Sequence, residues 1–144
     1  MPDTRSIRIA DLTSYDFRRL VQEGPPVVLL PVGSIEQHGP HLPLSTDVIL
    51  PEEIAMRVAA RMGALVAPPV SYGYKSQPKT GGGNHFPGTL SLDADTLIAQ
   101  ARQLIRALLA QGVVPRLLIV DYHLSDADTG PDVAEWIRQT LGQD

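Results

Sequence analysis

Four side chains of the types that bind divalent metal ions lie close together between residues 31 and 47. They are Glu36, His38, His41 and Asp47, and the segment around them is rich in glycine and proline. Carboxylate oxygens and imidazole nitrogens suit a cation such as Zn or Mn. The chain has no cysteine, so thiolates cannot contribute to such a site. The sequence therefore predicts a metal site built from histidine, aspartate and glutamate.

The spacing of these residues indicates how they could share metal ions. Glu36 and His38 are two positions apart, which places both side chains on one face of an extended segment. Asp47 is far enough along the chain to return from another direction, and it is the natural carboxylate to bridge two ions about 3.5–4 Å apart. The alternative is a polar surface loop in which these side chains cap turns. His41 is more typical of a loop-stabilising residue than of a ligand.

Short apolar runs alternate with helical patterns along the chain. The runs 27–32, 64–67 and 117–120 indicate buried strands. Helices are predicted from Thr13 or Ser14 to about Glu23, over 51–62 with Pro51 in the first turn and Ile54, Val58 and Met62 on one face, over 94–111 with Asp93 as the cap, and over 131–141. This alternation is typical of an α/β fold with a parallel sheet.

The polar loops 33–50, 68–90 and 121–130 each follow a predicted strand. The carboxyl ends of parallel strands meet at one edge of a sheet, where open α/β folds bind their ligands. We therefore expect the residues of the first loop to meet His85 and His123 at that edge, although they are far apart in the chain.

The bulk composition excludes several classes of protein. The chain has 144 residues, of which 43% are hydrophobic and 19% charged, and its net charge is −4. This balance is typical of one soluble globular domain, and it offers no basic face for nucleic acid or an anionic membrane. The first residues lack the apolar core of a signal peptide, and no apolar run is long enough to span a bilayer. A cytoplasmic location is expected.

Two segments resemble the creatininase (creatinine amidohydrolase) family. They are GSIEQHGPHLPLSTD at 33–47 and YGYKSQPKTGGGNHFPGT at 72–89, and the second is most similar to the creatinine-hydrolysing members. The similarity runs from about Leu12 to Val120. It implies a three-layer β/α fold with a mainly parallel sheet. It also implies a metal-dependent amidohydrolase that opens the cyclic amide of creatinine to give creatine with a metal-bridging water.

The resemblance also implies a set of metal ligands. Glu36 would bind the first of two Zn or Mn ions, His38 the second, and Asp47 both. His123, in the stretch DYHLSD at 121–126, falls on a family histidine that would join Glu36 and Asp47 on the first ion.

Substrate contacts are expected from the other two loops. Ser76 falls on a substrate-contacting serine of the family, and Tyr122 lies beside the expected metal ligands. His85 could line the substrate pocket, and a hydrogen-bonded loop histidine is the alternative. No residue is assigned as the catalytic acid or base.

The second metal position departs from the family pattern. Ser125 stands where the family has a glutamate ligand, and a neutral hydroxyl binds a hard divalent ion poorly. Asp126 or Asp128 could replace that glutamate, although solvated turn residues are the more usual interpretation. The second ion is therefore expected to bind more weakly.

The resemblance ends near Val120, and the family enzymes are longer than this chain. The expected organisation is one truncated creatininase-like domain over 1–144 with a divergent tail at 121–144. Two alternatives to creatinine hydrolysis follow: a metal-binding remnant with weak or no activity, and a hydrolase of another small amide or formamide. Because the family commonly forms hexamers, a homo-oligomer is expected.

Overall fold

The computed structural model describes residues 6–24, 26–75 and 83–113, together with the backbone of 117–121. The elements are a 3-10 turn at Ile9–Asp11, helix α1 (Ser14–Glu23), strand β1 (Val28–Val32), helix α2 (Thr46–Met62), strand β2 (Leu65–Val66), helix α3 (Ala94–Ala110) and strand β3 (Leu117–Asp121). The predicted helix over 131–141 lies outside the described residues. Within these ranges, no helix is both long and apolar enough to cross a bilayer.

The three strands form a parallel sheet in the order β2-β1-β3. Val28 in β1 pairs with Leu65 in β2 and with Leu117 in β3, so the central strand is hydrogen-bonded on both sides. The β1–β3 register continues to Val32 opposite Asp121, so these two strands end at the same level. The predicted parallel α/β fold is confirmed.

Each face of the sheet is covered by helices. Val28 and Leu30 point to one face, where residues of α1 and α3 pack on them. Leu29 points to the other face, where it packs with Ala55 and Ala59 of α2. This side-chain alternation along β1 places the sheet between two helical layers, as the predicted three-layer arrangement requires.

Helix α1 begins where the sequence predicts. Thr13 occupies the N-cap in an extended conformation, and its hydroxyl accepts a hydrogen bond from the Asp16 backbone N–H at 3.1 Å. Such a cap satisfies one of the backbone donors that the first helical turn leaves unpaired.

Helix α2 begins five residues earlier than predicted, at Thr46 and not at Pro51. Proline favours the first helical turn, but here it lies in the second turn and is fully buried. Pro51 has no N–H to donate to the Asp47 carbonyl four residues before it. The backbone of Gly33 approaches that carbonyl instead: a Cβ at Gly33 would lie 2.0 Å from the Asp47 oxygen. Asp47 therefore belongs to the first turn of a helix and not to a loop.

The buried face of α2 also differs from the predicted one. Ile54 and Met62 are 42% and 57% exposed, so the expected stripe of Ile54, Val58 and Met62 does not form the core face. The buried apolar positions are Val48, Pro51, Ala55 and Ala59. Small alanine side chains let the helix lie close to the sheet, and this closeness outweighs the greater hydrophobicity of the larger residues.

Candidate metal centre

The predicted metal-binding segment follows β1 at the topological switch point of the sheet. The chain passes from β1 to β2 on one side through α2, and β3 then pairs with β1 on its other side. Crevices at the carboxyl ends of strands around such a point are the usual ligand sites of open α/β sheets. Since Val32 and Asp121 are paired, β1 and β3 end side by side at one edge of the sheet. The segment of Glu36 therefore begins at the edge where β3 also ends, two residues before His123 in the sequence.

The buried polar side chains of the described residues all lie at this edge. Ser34, Glu36, Asp47 and Thr89 are between 3% and 9% exposed. Burying polar groups and especially charges costs free energy unless they are paired. Concentrating them in one place is typical of a functional site and not of a packed core.

The backbone around Glu36 is held on three sides. The Glu36 N–H donates to the Leu44 carbonyl at 2.9 Å. The Leu90 N–H donates to the carbonyl of the residue before Glu36 at 2.9 Å, and the Thr89 hydroxyl accepts from the N–H of the residue after it at 3.1 Å. Thr89 and Leu90 therefore hold the backbone on both sides of Glu36.

His38 and Asp47 meet directly. The His38 Nε2 atom lies 3.2 Å from Asp47 Oδ1. The other ring nitrogen, Nδ1, lies 2.9 Å from the Glu36 carbonyl oxygen, which can only accept, so Nδ1 carries the proton. The Ser34 hydroxyl donates to the second carboxylate oxygen, Asp47 Oδ2, at 3.1 Å. The position of Asp47 in the first turn of α2 adds the favourable field of the helix N-terminus to its negative charge.

This hydrogen-bond pattern fits a cation. With Nδ1 protonated, a neutral imidazole directs the Nε2 lone pair at a carboxylate oxygen, and two acceptors that face each other need a positive charge between them. A second ring proton or a metal ion can supply that charge. Histidine ligands of metals typically donate their other N–H to a carbonyl or carboxylate, as His38 does. The donor set of nitrogen and oxygen atoms also matches Zn and Mn.

The described residues alone do not complete such a site. Across 6–24, 26–75 and 83–113, no group of three or more histidine, aspartate and glutamate side chains is arranged to hold an ion. His123, the expected fourth ligand, lies outside the described residues, as do Ser76, Tyr122 and Ser125. The ligand set Glu36, His38, Asp47 and His123 therefore stays a prediction, of which the structure places the His38–Asp47 pair and the buried Glu36.

His41 and His85 differ from the partly buried His38 in that both are exposed. His41 is exposed, in agreement with its interpretation as a loop residue. His85 is exposed, and its ring lies 4.4 Å from that of Phe86 with an interplanar angle of 36°. This ring contact is one that a loop histidine would make, and the predicted role of His85 in substrate binding stays untested.

An ion pair joins the loop 68–90 to the N-cap residue of α3. Lys75 Nζ lies 2.5 Å from Asp93 Oδ1, and this hydrogen bond is the main cause of the raised pKa of Lys75. Asp93 occupies the N-cap position of α3 as predicted, but its side chain makes no capping hydrogen bond. The backbone next to this pair is also tied, because the Leu92 N–H donates to the Gly73 carbonyl at 2.9 Å.

Sequence reasoning missed Ser34 and Thr89. Both are small polar residues that are unremarkable in a sequence, because serine and threonine are common on surfaces. The glycine before Ser34 was the available signal, since a glycine at a strand end can mark close approach of another backbone.

Comparison with known proteins supports the same family as the sequence motifs. The profile of the creatininase (creatinine amidohydrolase) family matches residues 10–144. Creatinine amidohydrolase from Pseudomonas putida is 45% identical over 124 residues, which cover 86% of this chain and 47% of that protein. Mycofactocin precursor peptide peptidase from Mycolicibacterium smegmatis is 46% identical over 78 residues, which cover 50% of this chain and 30% of the peptidase.

Solved structures of similar proteins share the fold. A manganese form of creatininase superposes with a TM-score of 0.80 at 42% identity and covers 97% of this chain and 55% of its own. A mutant creatininase of Zn–Zn type superposes with a TM-score of 0.76 at 47% identity, covering 81% and 45% of the two chains. The present chain thus spans about half the length of the creatininases that it matches and about a third of the length of the peptidase.

Proposed function

Because this chain belongs to the creatininase family, we propose that it acts as a metal-dependent amidohydrolase that opens the ring amide of creatinine to give creatine. The observation that carries this proposal is the polar cluster at the carboxyl end of β1, in which the partly buried His38 pairs with the buried Asp47 and accompanies the buried Glu36. The similarity to creatinine amidohydrolase over 86% of the chain supports creatinine as the substrate.

In the proposed centre, Glu36, His38, Asp47 and His123 would hold two divalent ions, Zn or Mn. Bound divalent ions at such a site acidify a water molecule and polarise the carbonyl of the substrate. His38 contributes through Nε2, because its Nδ1–H is engaged by the Glu36 carbonyl. Asp47 contributes from the first turn of α2. Hydrolysis adds one water across the ring amide, with the hydroxyl on the carbonyl carbon and the proton on the released nitrogen.

The second ion is proposed to bind more weakly than the first. Ser125 replaces the family glutamate at that position, so His38 and Asp47 would be its principal protein ligands. Isothermal titration calorimetry of the metal-free protein with Mn should resolve one tight and one weaker binding event. Two events of equal strength would contradict this part of the proposal.

A peptide substrate is the second candidate. The mycofactocin precursor peptide peptidase matches this chain at 46% identity, which is as high as the match to creatinine amidohydrolase. The peptidase match covers 50% of the chain and the other covers 86%, so the longer match favours creatinine. Assays of creatinine and of a short peptide amide with the same metal-loaded preparation would separate the two.

A homo-oligomer remains part of the proposal. Large apolar side chains are exposed on the stretch that leads into and forms the start of α2, namely Leu42, Leu44, Ile49, Leu50 and Ile54, at 38–46% exposure. Exposed apolar patches of this kind commonly mark protein–protein contacts. Light scattering after size-exclusion chromatography would give the mass, and a monomer at micromolar concentration would count against self-association.

The experiment that tests the proposed activity compares two matched acidic variants. Asp47→Asn removes the charge of the proposed shared ligand, whereas Asp95→Asn removes an exposed charge in the first turn of α3. Creatine formation should be metal-dependent in the wild type, lost in Asp47→Asn and kept in Asp95→Asn. Equal activity in the two variants would refute the assigned role of Asp47, and wild-type protein without turnover of creatinine would refute the substrate.

A further inference from the structure

We propose that Ser34 is a positioning residue for Asp47: its hydroxyl fixes the plane of the carboxylate so that Oδ1 faces His38. This inference rests on the proposed role of Asp47 as a metal ligand. The hydroxyl donates to Oδ2 at 3.1 Å while Oδ1 lies 3.2 Å from His38 Nε2. The two oxygens of one carboxylate thus have different partners, one on each side.

The surroundings of Ser34 hold its hydroxyl in place. Ser34 is 3% exposed, and it follows Gly33, whose backbone lies against the first turn of α2. That close approach brings the serine within hydrogen-bonding reach of Asp47. Gly73 also lies against this segment, because an added Cβ there would be 3.0 Å from the Ser34 Cβ and 3.0 Å from the Gly33 carbonyl oxygen. Two glycines therefore create the narrow space in which Ser34 meets Asp47.

The second anchor matters because an aspartate carboxylate turns easily about its last torsion, which has broad and roughly two-fold preferences. Contact with His38 alone would leave that rotation open. The hydrogen bond at Oδ2 restricts it, so the oxygen that faces His38 is already placed when an ion arrives. A carboxylate oxygen has two lone pairs, so Oδ2 can accept from Ser34 and still bind an ion.

Hydrogen-bond partners behind metal ligands typically contribute about 10–100-fold to metal affinity. We therefore expect Ser34→Ala to weaken Zn binding about tenfold or more. Ser34→Thr keeps the hydroxyl but adds a methyl group in the same narrow space, so its Zn affinity should lie between those of Ser34→Ala and the wild type. Gly73→Ala keeps the serine but crowds it, and it should weaken binding several-fold without removing any polar atom.

Zn affinity would be measured by competition with a chromogenic chelator on the full chain, and the fold of each metal-free variant by circular dichroism and urea unfolding. Val66→Ala is the control for general destabilisation, because Val66 is buried in β2 away from the polar cluster. The proposal predicts weaker Zn binding in Ser34→Ala and unchanged Zn binding in Val66→Ala. Equal affinity in Ser34→Ala and the wild type would overturn it, as would a loss in Val66→Ala as large as that in Ser34→Ala.

The same titration separates this inference from the function on which it rests. If the wild-type protein binds no Zn, or if its Zn affinity equals that of Asp47→Asn, both the proposed function and the role of Ser34 are overturned. Zn binding that is lost in Asp47→Asn but unchanged in Ser34→Ala would overturn the role of Ser34 alone. Should Ser34→Ala fail to fold, Gly73→Ala decides: wild-type affinity in that variant overturns the proposal.

Discussion

Replacing Gly33 by alanine should displace the first turn of α2 and the ligand that it carries. The added Cβ would lie 2.0 Å from the Asp47 carbonyl oxygen, 2.7 Å from its carbonyl carbon and 2.9 Å from the Val48 Cα. All three are backbone atoms, so no side-chain rotation can relieve the contact. Ordinary contact begins at 3.4 Å, so the oxygen and the methyl group must separate by about 1.4 Å, the difference from 2.0 Å. Metal sites tolerate about ±0.2 Å in ligand distances.

Gly33→Ala should therefore lower both stability and metal affinity. Overpacking of this kind typically costs about 1–3 kcal/mol of unfolding free energy. Because the displaced turn carries Asp47, we expect Zn affinity to fall at least about tenfold, as it does when the support of a ligand is lost. Urea unfolding of the metal-free protein and chelator competition with Zn would measure the two effects.

Gly63→Ala provides the matched control at the opposite end of the same helix. Gly63 has φ +68°, and a Cβ there would meet nothing within 4 Å. Alanine in this left-handed conformation costs about 1–2 kcal/mol, with no contact to the site. Zn affinity should be unchanged in Gly63→Ala and reduced in Gly33→Ala. Wild-type stability and Zn affinity in Gly33→Ala would refute the close approach of β1 and α2 on which the site depends.

Two further predictions concern packing and charge. Ala59→Leu should lower the free energy of unfolding in urea by about 1–3 kcal/mol, because Ala59 is fully buried against the sheet. Ala60→Leu, at an exposed position, should change the free energy of unfolding by no more than about 0.5 kcal/mol. Equal effects of the two substitutions would contradict the assignment of Ala59 to the buried face of α2. Asp93→Asn should bring the raised pKa of Lys75 back towards 10.5, as followed by NMR of the lysine side chain. Because the pKa of Lys75 is higher in the folded than in the unfolded chain, its contact with Asp93 stabilises the fold fully below pH 10.5, and this stabilisation is lost as the pH rises through the folded-state pKa. A Lys75 pKa that is unchanged in Asp93→Asn would contradict the contact.

The fold was largely predictable because its signals are local. Apolar runs mark β1, β2 and β3, and the Thr13 cap marks the start of α1. Such signals depend on neighbours in sequence and on the alternation of strands with helices. The start of α2 was not predictable in the same way, because local preference places Pro51 at the beginning of a helix. Its position in the second turn depends on a contact between Gly33 and Asp47, which are far apart in the chain.

Some residues of the candidate site were likewise predictable from the local sequence, and others were not. Glu36, His38 and Asp47 are evident from residue type, spacing and family resemblance, and the structure brings His38 and Asp47 together. Ser34 and Thr89 became evident only through contacts across 13 and 52 residues of sequence. No local pattern records those contacts, because both depend on how β1, α2 and the segment before α3 pack.

That the carboxyl end of β1 is a metal centre is a claim that an anomalous difference map from Zn-soaked crystals of this protein would test. We expect a Zn peak about 2.0–2.2 Å from His38 Nε2 and from an oxygen of Asp47. An ion between these atoms would replace the direct 3.2 Å contact between His38 and Asp47. Crystals of Zn-saturated protein with no peak at this edge of the sheet, and with His38 and Asp47 still in direct contact, would contradict the claim.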